Sequence, residues 1–449
     1  MLTSLVSFAL AATPLLVREA RVVDARGDQG LHSLLLEDGL ITAIDPEEVP
    51  DAATELDAHG RAVLPGYIDT HVHISIAPGE AWYTESHEAR RARRAHHLRS
   101  YLAWGVTTLL DPAILPDDAR EILELAQEGP APRLRFLGPT FSPLDGYVAV
   151  VIPTFPSVFT PDDVRKLFDS FAGIDVAGVK VTMEEGLLRP IWPLHSQEVR
   201  DTLAQECAAR NLDIYIHAMN PKMTREALKM HPHALVHASQ SGSKRLARQV
   251  AESGAYVSPT LSILGISSMG VWPDDPLLRL TVPADELAAA QSPEMAQKFA
   301  RAAMEVAAPK MSEKARDRLA DRFQDLATSR LETALRTVHR LFEAGVRLTL
   351  GSDSGNWPIN PRQLHGPSTH VELAMLGRAG LAPLDVIRAA TLTPAQMLHL
   401  DGELGTVEVG KRADLVIVDG DPLTDVAALS QIAWVIRDGE ARTPAEWMR

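Results

Sequence analysis

Through the middle of the chain, short runs rich in apolar and β-branched residues alternate with stretches of helical periodicity. That alternation restricts the fold more than any other feature. Candidate strands cover residues 62–73, 107–111, 133–137, 178–183, 213–218, 234–238, 255–259 and 347–353, with helical patterns between them, among them 161–172, 196–210, 224–230 and 244–253. Eight strands in strand-then-helix order predict an α/β protein whose parallel sheet closes as a (β/α)₈ TIM-like barrel. A doubly wound open sheet fits the same order, but no glycine-rich phosphate turn follows the first strand. The stretch 285–344, rich in Ala, Arg, Glu and Met, falls between the seventh and eighth strands and predicts extra helices beside the barrel mouth.

The ends read differently. Short strands with hairpin signals occupy residues 14–61, as in Ser33-Leu-Leu-Leu-Glu-Asp-Gly39, and residues 401–449, as in Trp434-Val-Ile-Arg-Asp-Gly439. Neither piece buries a core alone, so the two are expected to pair as one small β-sandwich domain with the barrel, residues 62–400, inserted between them. A chain of 449 residues has room for both, since single cores rarely grow beyond about 250–300 residues.

Charge narrows the partners. Against 44 basic residues stand 59 acidic ones, a net charge of −15. Such a surface repels phosphate backbones and anionic lipid, which argues against nucleic acid and membrane and for a small-molecule substrate. A homo-oligomer stays open. The one basic block, Glu88-Ala-Arg-Arg-Ala-Arg-Arg-Ala-His-His97, reads as a solvated helix face. The single cysteine, Cys207, excludes an internal disulfide. No apolar run approaches the roughly 18–20 residues of a membrane span. Residues 1–12 are apolar and end in small residues as a signal peptide does, but lack a positive start. Cytoplasmic and periplasmic or secreted locations both stay open.

The chemistry-bearing residues stand at strand ends. In Gly66-Tyr-Ile-Asp-Thr-His-Val-His73, two histidines at i and i+2 of a strand point to one side and can reach one ion. His217, His237 and Asp353 each close an apolar run, and Lys180 interrupts one. Each has an ordinary reading taken singly, as a hydrogen-bonded histidine or a helix-capping aspartate. The buried ammonium is the most telling, because it is costly unless paired or neutralised. Active sites of this architecture gather at the C-terminal ends of the strands. A second pair, His231-Pro-His233, precedes its strand, lies at the opposite end, and is rejected as a ligand pair.

These motifs, with Gly105-Val-Thr-Thr108 and Gly405-Thr-Val-Glu-Val-Gly-Lys-Arg-Ala-Asp-Leu-Val-Ile-Val-Asp419, resemble the amidohydrolase superfamily over nearly the whole chain, closest to its imidazolonepropionase-like and Xaa-Pro dipeptidase-like branch. The resemblance implies two divalent metal ions, zinc above all. His71, His73 and Asp353 would hold one and His217 and His237 the other, with N6-carboxylated Lys180 and a hydroxide bridging them. It further implies Asp353 as the catalytic proton carrier. Imidazole and carboxylate donors suit zinc, and desolvation pushes a lysine toward the neutral form that takes up CO₂.

Loops after the strands are expected to line the pocket, with Tyr147, Asn220, Lys222, Trp272, Trp357 and His365 as substrate-binding candidates. Many superfamily members carry a glycine–histidine pair in the loop after the third strand, where this chain has Gly146-Tyr147. The expected reaction is hydrolysis of an amide or peptide-like C–N bond of a dipeptide or N-acyl amino acid. Hydrolysis of a lactone, carboxyl ester or phosphotriester on the same site is the alternative. A deaminase would show a glutamate shortly after the fifth-strand histidine, and His217-Ala-Met-Asn220 has none. A non-catalytic barrel protein would have lost metal ligands, whereas all six are present.

Overall fold

A computed structural model describes residues 13–75, 85–138, 140–148, 155–186, 191–237, 242–355, 360 and 362–449. The apolar opening and Trp357 lie outside them. The fold is α/β. Tyr67–Asp69, Val106–Asp111 and Arg133–Phe136 form one parallel sheet, and Gly178–Thr182, Asp213–His217, Ala234–Val236 and Tyr256–Ser258 another. Parallel bridges extend these sheets, from Leu137 to Gly178, from Val257 to Leu348 and from Val72 to Ser354.

The helices between strands begin and end where local chemistry dictates. Thr160 caps Pro161–Asp169 in a capping box, with proline at the first position, where its missing N–H costs nothing. Ser196 caps Gln197–Arg210, which stops at Asn211 in the left-handed conformation. Ser243 caps Lys244–Ser253, which stops at Gly254. Their apolar faces pack on strands that are buried throughout, as in Gly178–Thr182. Among the described residues no helix is long and apolar enough to cross a membrane.

Two candidate strands differ from expectation. Residues 62–73 divide at Gly66. Ala62–Pro65 pairs with Leu15–Asp24 and Leu415–Val418 in the sheet built by the chain ends, and Tyr67–Asp69 starts the inner one. A Cβ on Gly66 would stand 2.1 Å from Thr107 Oγ1, so only glycine lets the chain cross there. Residues 347–353 touch their neighbours only through isolated bridges. Leu350 N–H donates to Ala389 O at 2.7 Å and Ser352 N–H to Asp69 Oδ1 at 3.0 Å, which removes both from a regular ladder.

The hairpins expected at the two ends join in one sheet of eight strands. It runs from Glu440–Arg442 and Ile432–Arg437 through Leu415–Val418, Ala62–Pro65 and Leu15–Asp24 to Gly27–Glu37 and Leu40–Ile44, with Thr54–Asp57 also on Leu15–Asp24. Val17, Leu34, Ile41, Val63, Leu415 and Ile436 fill the core beneath it.

The stretch 285–344 is helical, as Ala284–Ala290, Pro293–Ala307, Glu313–Ala320 and Phe323–Glu343. The last packs on Ser262–Met269 and Lys244–Ser253. The basic block is not a solvated face. In helix His87–Ala103, Arg93 meets Glu286 at 2.7 Å and Asp285 at 3.0 Å. Arg94 is buried and donates to Glu121 at 2.6 Å and Ser75 O at 3.0 Å. These pairs tie the inserted helices to the sheet.

Candidate metal centre

His217 is the last residue of Asp213–His217, and His237 follows directly on Ala234–Val236. His71 and His73 follow Tyr67–Asp69, and Lys180 sits within Gly178–Thr182. The strands bring all six predicted ligands into one hollow. Asp353 Oδ1 lies 2.8 Å from His73 Nε2 and 3.3 Å from His71 Nε2, while Oδ2 lies 3.9 Å from His237 Nδ1. Lys180 Nζ is 3.2 Å from His71 Nε2. Ring centroids stand 4.9 Å apart for His71 and His237, and 4.5 Å for His237 and His217. One donor atom from each of His71, His73 and Asp353 lies within 4.8 Å of the other two.

Surrounding groups aim these donors. Asp69, fully buried, accepts from His71 N–H at 3.2 Å, Ser352 N–H at 3.0 Å and Thr369 Oγ1 at 2.7 Å, so one carboxylate ties the segments that carry His71 and Asp353 together. Thr260 Oγ1 pairs with His237 Nδ1 at 2.8 Å, which turns Nε2 away from it as ligand histidines require. Asp353 and His237 hold φ of 52° and 63°, left-handed values that non-glycine residues rarely take. Such strain costs on the order of 1–3 kcal/mol each and gathers at functional sites.

Burial dominates the electrostatics. It lowers the His71 imidazole to about 3, helped by the Lys180 charge, and keeps His217 and His237 well below the usual histidine range. Lys180 is lowered to about 8 by burial, against the pull of Asp353 and Asp111. Burial also works to raise Asp353, but the charges and hydrogen bonds of His71 and His73 outweigh it and hold the carboxyl well below its ordinary value. Imidazole binds cations in its neutral form and carboxylate in its ionised form.

Residues 62–442 match the amidohydrolase family. The chain belongs to it. Amidohydrolase-family relatives include N-acetylgalactosamine-6-phosphate deacetylase of Escherichia coli O157:H7, 25% identical over 422 residues, 90% of this chain and 94% of that protein. Imidazolonepropionase of Symbiobacterium thermophilum is 23% identical over 436 residues, 89% and 86% of the two chains. Among solved structures, a Xaa-Pro dipeptidase with bound methionine in its active site shares the fold with a TM-score of 0.72 at 20% identity, covering 96% of this chain and all of that one. As an amidohydrolase, the protein is a hydrolase of carbon–nitrogen bonds, and divalent metals are typical of the family.

The substrate candidates scatter within this amidohydrolase frame. Tyr147 faces the site, its ring 5.2 Å from His217 and 5.0 Å from Trp192. Lys222 sits at the exposed rim, paired with Glu185 at 2.6 Å. Asn220 is a helix cap: its side-chain oxygen accepts from Lys222 N–H and Met223 N–H, both at 3.0 Å. His365 is buried, stacked on His97 at 3.9 Å and bonded to Tyr101 OH at 2.9 Å. Trp272 is buried too, its Nε1 donating to Arg362 O at 2.8 Å.

Sequence reasoning missed Asp69 and Glu184. Glu184, buried two residues past Gly178–Thr182, places Oε2 3.8 Å from His217 Nε2, and desolvation raises its carboxyl to about 7. The sign of Glu184 in the sequence is an acidic residue just past a strand end. That of Asp69 is an acid inside an apolar strand.

Proposed function

We propose that the protein is a binuclear-metal hydrolase that cleaves an amide or peptide-like C–N bond of a dipeptide or N-acyl amino acid. The observation that carries this is the meeting of Lys180 Nζ with His71 Nε2 at 3.2 Å, in the hollow that His73, His217, His237 and Asp353 share. The imidazole nitrogen accepts from the lysine amine there, and the neutral form of that amine is the one that takes up CO₂ to become a carboxylated lysine. In this reading the strands close as a (β/α)₈ barrel over residues 62–400. The bridges Leu137–Gly178, Val257–Leu348 and Val72–Ser354 support that closure. Residues 14–61 and 401–449, which share the end sheet, make the small domain.

The donors fit a divalent cation pair. His217 Nε2 is buried without a hydrogen-bond partner among the described residues, a cost of about 1–3 kcal/mol that a metal ion would remove. His71, His73 and Asp353 would hold one zinc ion and His217 and His237 the other, with N6-carboxylated Lys180 between them. When bound, the two ions supply a nucleophile at neutral pH and polarise the scissile carbonyl. Asp353 takes a proton as the carbonyl is attacked and hands it to the leaving nitrogen. Lys180, lowered to about 8, has the neutral form that reacts with CO₂ within reach at physiological pH. Tyr147 walls the site beside His217 and offers a phenol to the substrate, and Lys222 at the rim offers a cation to its carboxylate.

Two measurements test this reading: metal content of the purified protein, and a panel of dipeptides, N-acyl amino acids, lactones and phosphotriesters. Two zinc equivalents and fastest turnover of a dipeptide or N-acyl amino acid are expected. Faster turnover of a lactone or phosphotriester overturns the substrate class. Full activity in metal-free protein overturns the centre itself.

A further inference from the structure

We propose that Asp213, His233 and His399 form a second cation site, for zinc or a similar borderline divalent ion, at the opposite end of the strands from the centre above. Asp213 opens the strand that His217 closes, and His233 precedes the strand that His237 follows. At the rise of a β-strand, the two ends of Asp213–His217 stand about 13 Å apart. His399 stands just past helix Leu392–Met397, with φ 57°. Its Nε2 lies 2.9 Å from Asp213 Oδ2, and His233 Nδ1 lies 3.4 Å from Asp213 Oδ1. One donor atom of each residue is within 4.8 Å of the other two.

The tautomer of His233 decides what this cluster can do. Its Nε2 lies 2.8 Å from Met397 O, which can only accept, so the proton sits on Nε2. Nδ1 then presents a lone pair toward the Asp213 carboxylate. Two lone pairs facing each other are relieved by a cation between them, a proton or a metal ion. An imidazole oriented by a backbone carbonyl is also how metal-bound histidines are held. Around a tetrahedral zinc ion with bonds of about 2.0–2.1 Å, neighbouring donors lie about 3.3 Å apart. The distances of 2.9 Å from His399 to Asp213 Oδ2 and 3.4 Å from His233 to Oδ1 stand either side of that spacing, one carboxylate oxygen facing each ring. The His399 side chain is 69% exposed, so its ring can turn to complete the third edge without disturbing the core. Bound there, the ion ties the turn after Leu392–Met397 to the starts of two strands and takes no part in hydrolysis.

The test compares zinc uptake by the metal-loaded enzyme with that of its His399→Ala and Asp213→Asn variants. Wild type is expected to retain one zinc equivalent more than either variant by mass spectrometry. Added zinc should raise its Tm by a few degrees, with no rise in the variants and kcat/KM unchanged in all three. Asp213→Asn keeps the side-chain volume, so it reports on the ligand even where His399→Ala disturbs the turn. Equal zinc content and equal Tm response in all three proteins would overturn the proposal and leave an ordinary histidine–aspartate pair.

Discussion

His71 with His73 and His231 with His233 are spaced identically, yet only the first pair turns both rings to one place. The first pair closes an extended segment, so both rings turn to one side and stand 5.1 Å apart. In the second, Pro232 and the φ of 49° at His231 break the extended geometry. His231 points to solvent, and His233 turns to Met397 O and Asp213. Spacing therefore identifies a ligand pair only where the backbone has a period of two. Environment then decides the proton affinity: burial takes His71 to about 3, whereas half-buried His32, hydrogen-bonded to Asp45, is raised.

The largest effects should come from exchanging residues across that comparison. Asp353→Asn should lower kcat/KM by about 10²–10⁴-fold, the range for loss of a positioned proton carrier. His71→Ala should fall at least as far through loss of metal, and His231→Ala should stay within about twofold. Measured on one substrate with circular dichroism as a fold control, similar losses for His71→Ala and His231→Ala would break the distinction. Lys180→Ala should lose metal and most activity, with partial recovery on adding short carboxylates and excess zinc. A variant that keeps two tightly bound ions and full rate would remove the bridge.

These positions were legible because they obey two simple rules, strand alternation and the placement of polar residues at strand ends. His217, His237 and Asp353 each end an apolar run, and Lys180 interrupts one, so a single sequence exposes them. The strand–helix alternation was legible for the same reason. What escaped depends on contacts between distant segments. The split of residues 62–73 follows from the approach of Gly66 to Thr107, and no local pattern encodes it. The basic block looked solvated because Glu286 and Asp285, its partners, lie nearly two hundred residues away. His365 is the loop residue expected, but its partners His97 and Tyr101 come from helix His87–Ala103, far away in the sequence.

A smaller effect tests burial without touching the site. His370, wedged between Trp104 O at 2.7 Å and Ser430 Oγ at 2.8 Å, is lowered by burial from 6.5 to about 4. As pH falls through 6.5, the unfolded chain takes up a proton there and the folded chain does not. Stability present above 6.5 is thus lost down to about pH 4, by about 3 kcal/mol in all. In urea denaturation between pH 7.5 and 4.5, the stability gap between wild type and His370→Gln should narrow by up to that amount. Other buried histidines titrate alike in both proteins and cancel. At His32 the sign reverses: the pair with Asp45 stabilises below 6.5 and is lost as pH rises. A constant gap at His370 would mean that the ring titrates alike in the folded and unfolded chains.

The smallest effect separates two roles for Asn220. As a helix cap, its loss should cost about 1 kcal/mol of stability and leave KM alone. As a substrate ligand, its loss should raise KM several-fold with little change in Tm. Both cap bonds, to Lys222 N–H and Met223 N–H, already engage its side-chain oxygen at 3.0 Å. The cap should therefore dominate in Asn220→Ala, read as Tm and KM on the same preparation. Lys222→Ala is the counterpart, because its exposed pair with Glu185 contributes about 0–1 kcal/mol. A rise in KM for Lys222→Ala at constant Tm would assign carboxylate binding to the rim, and a fall in Tm alone for Asn220→Ala would keep that residue in the scaffold.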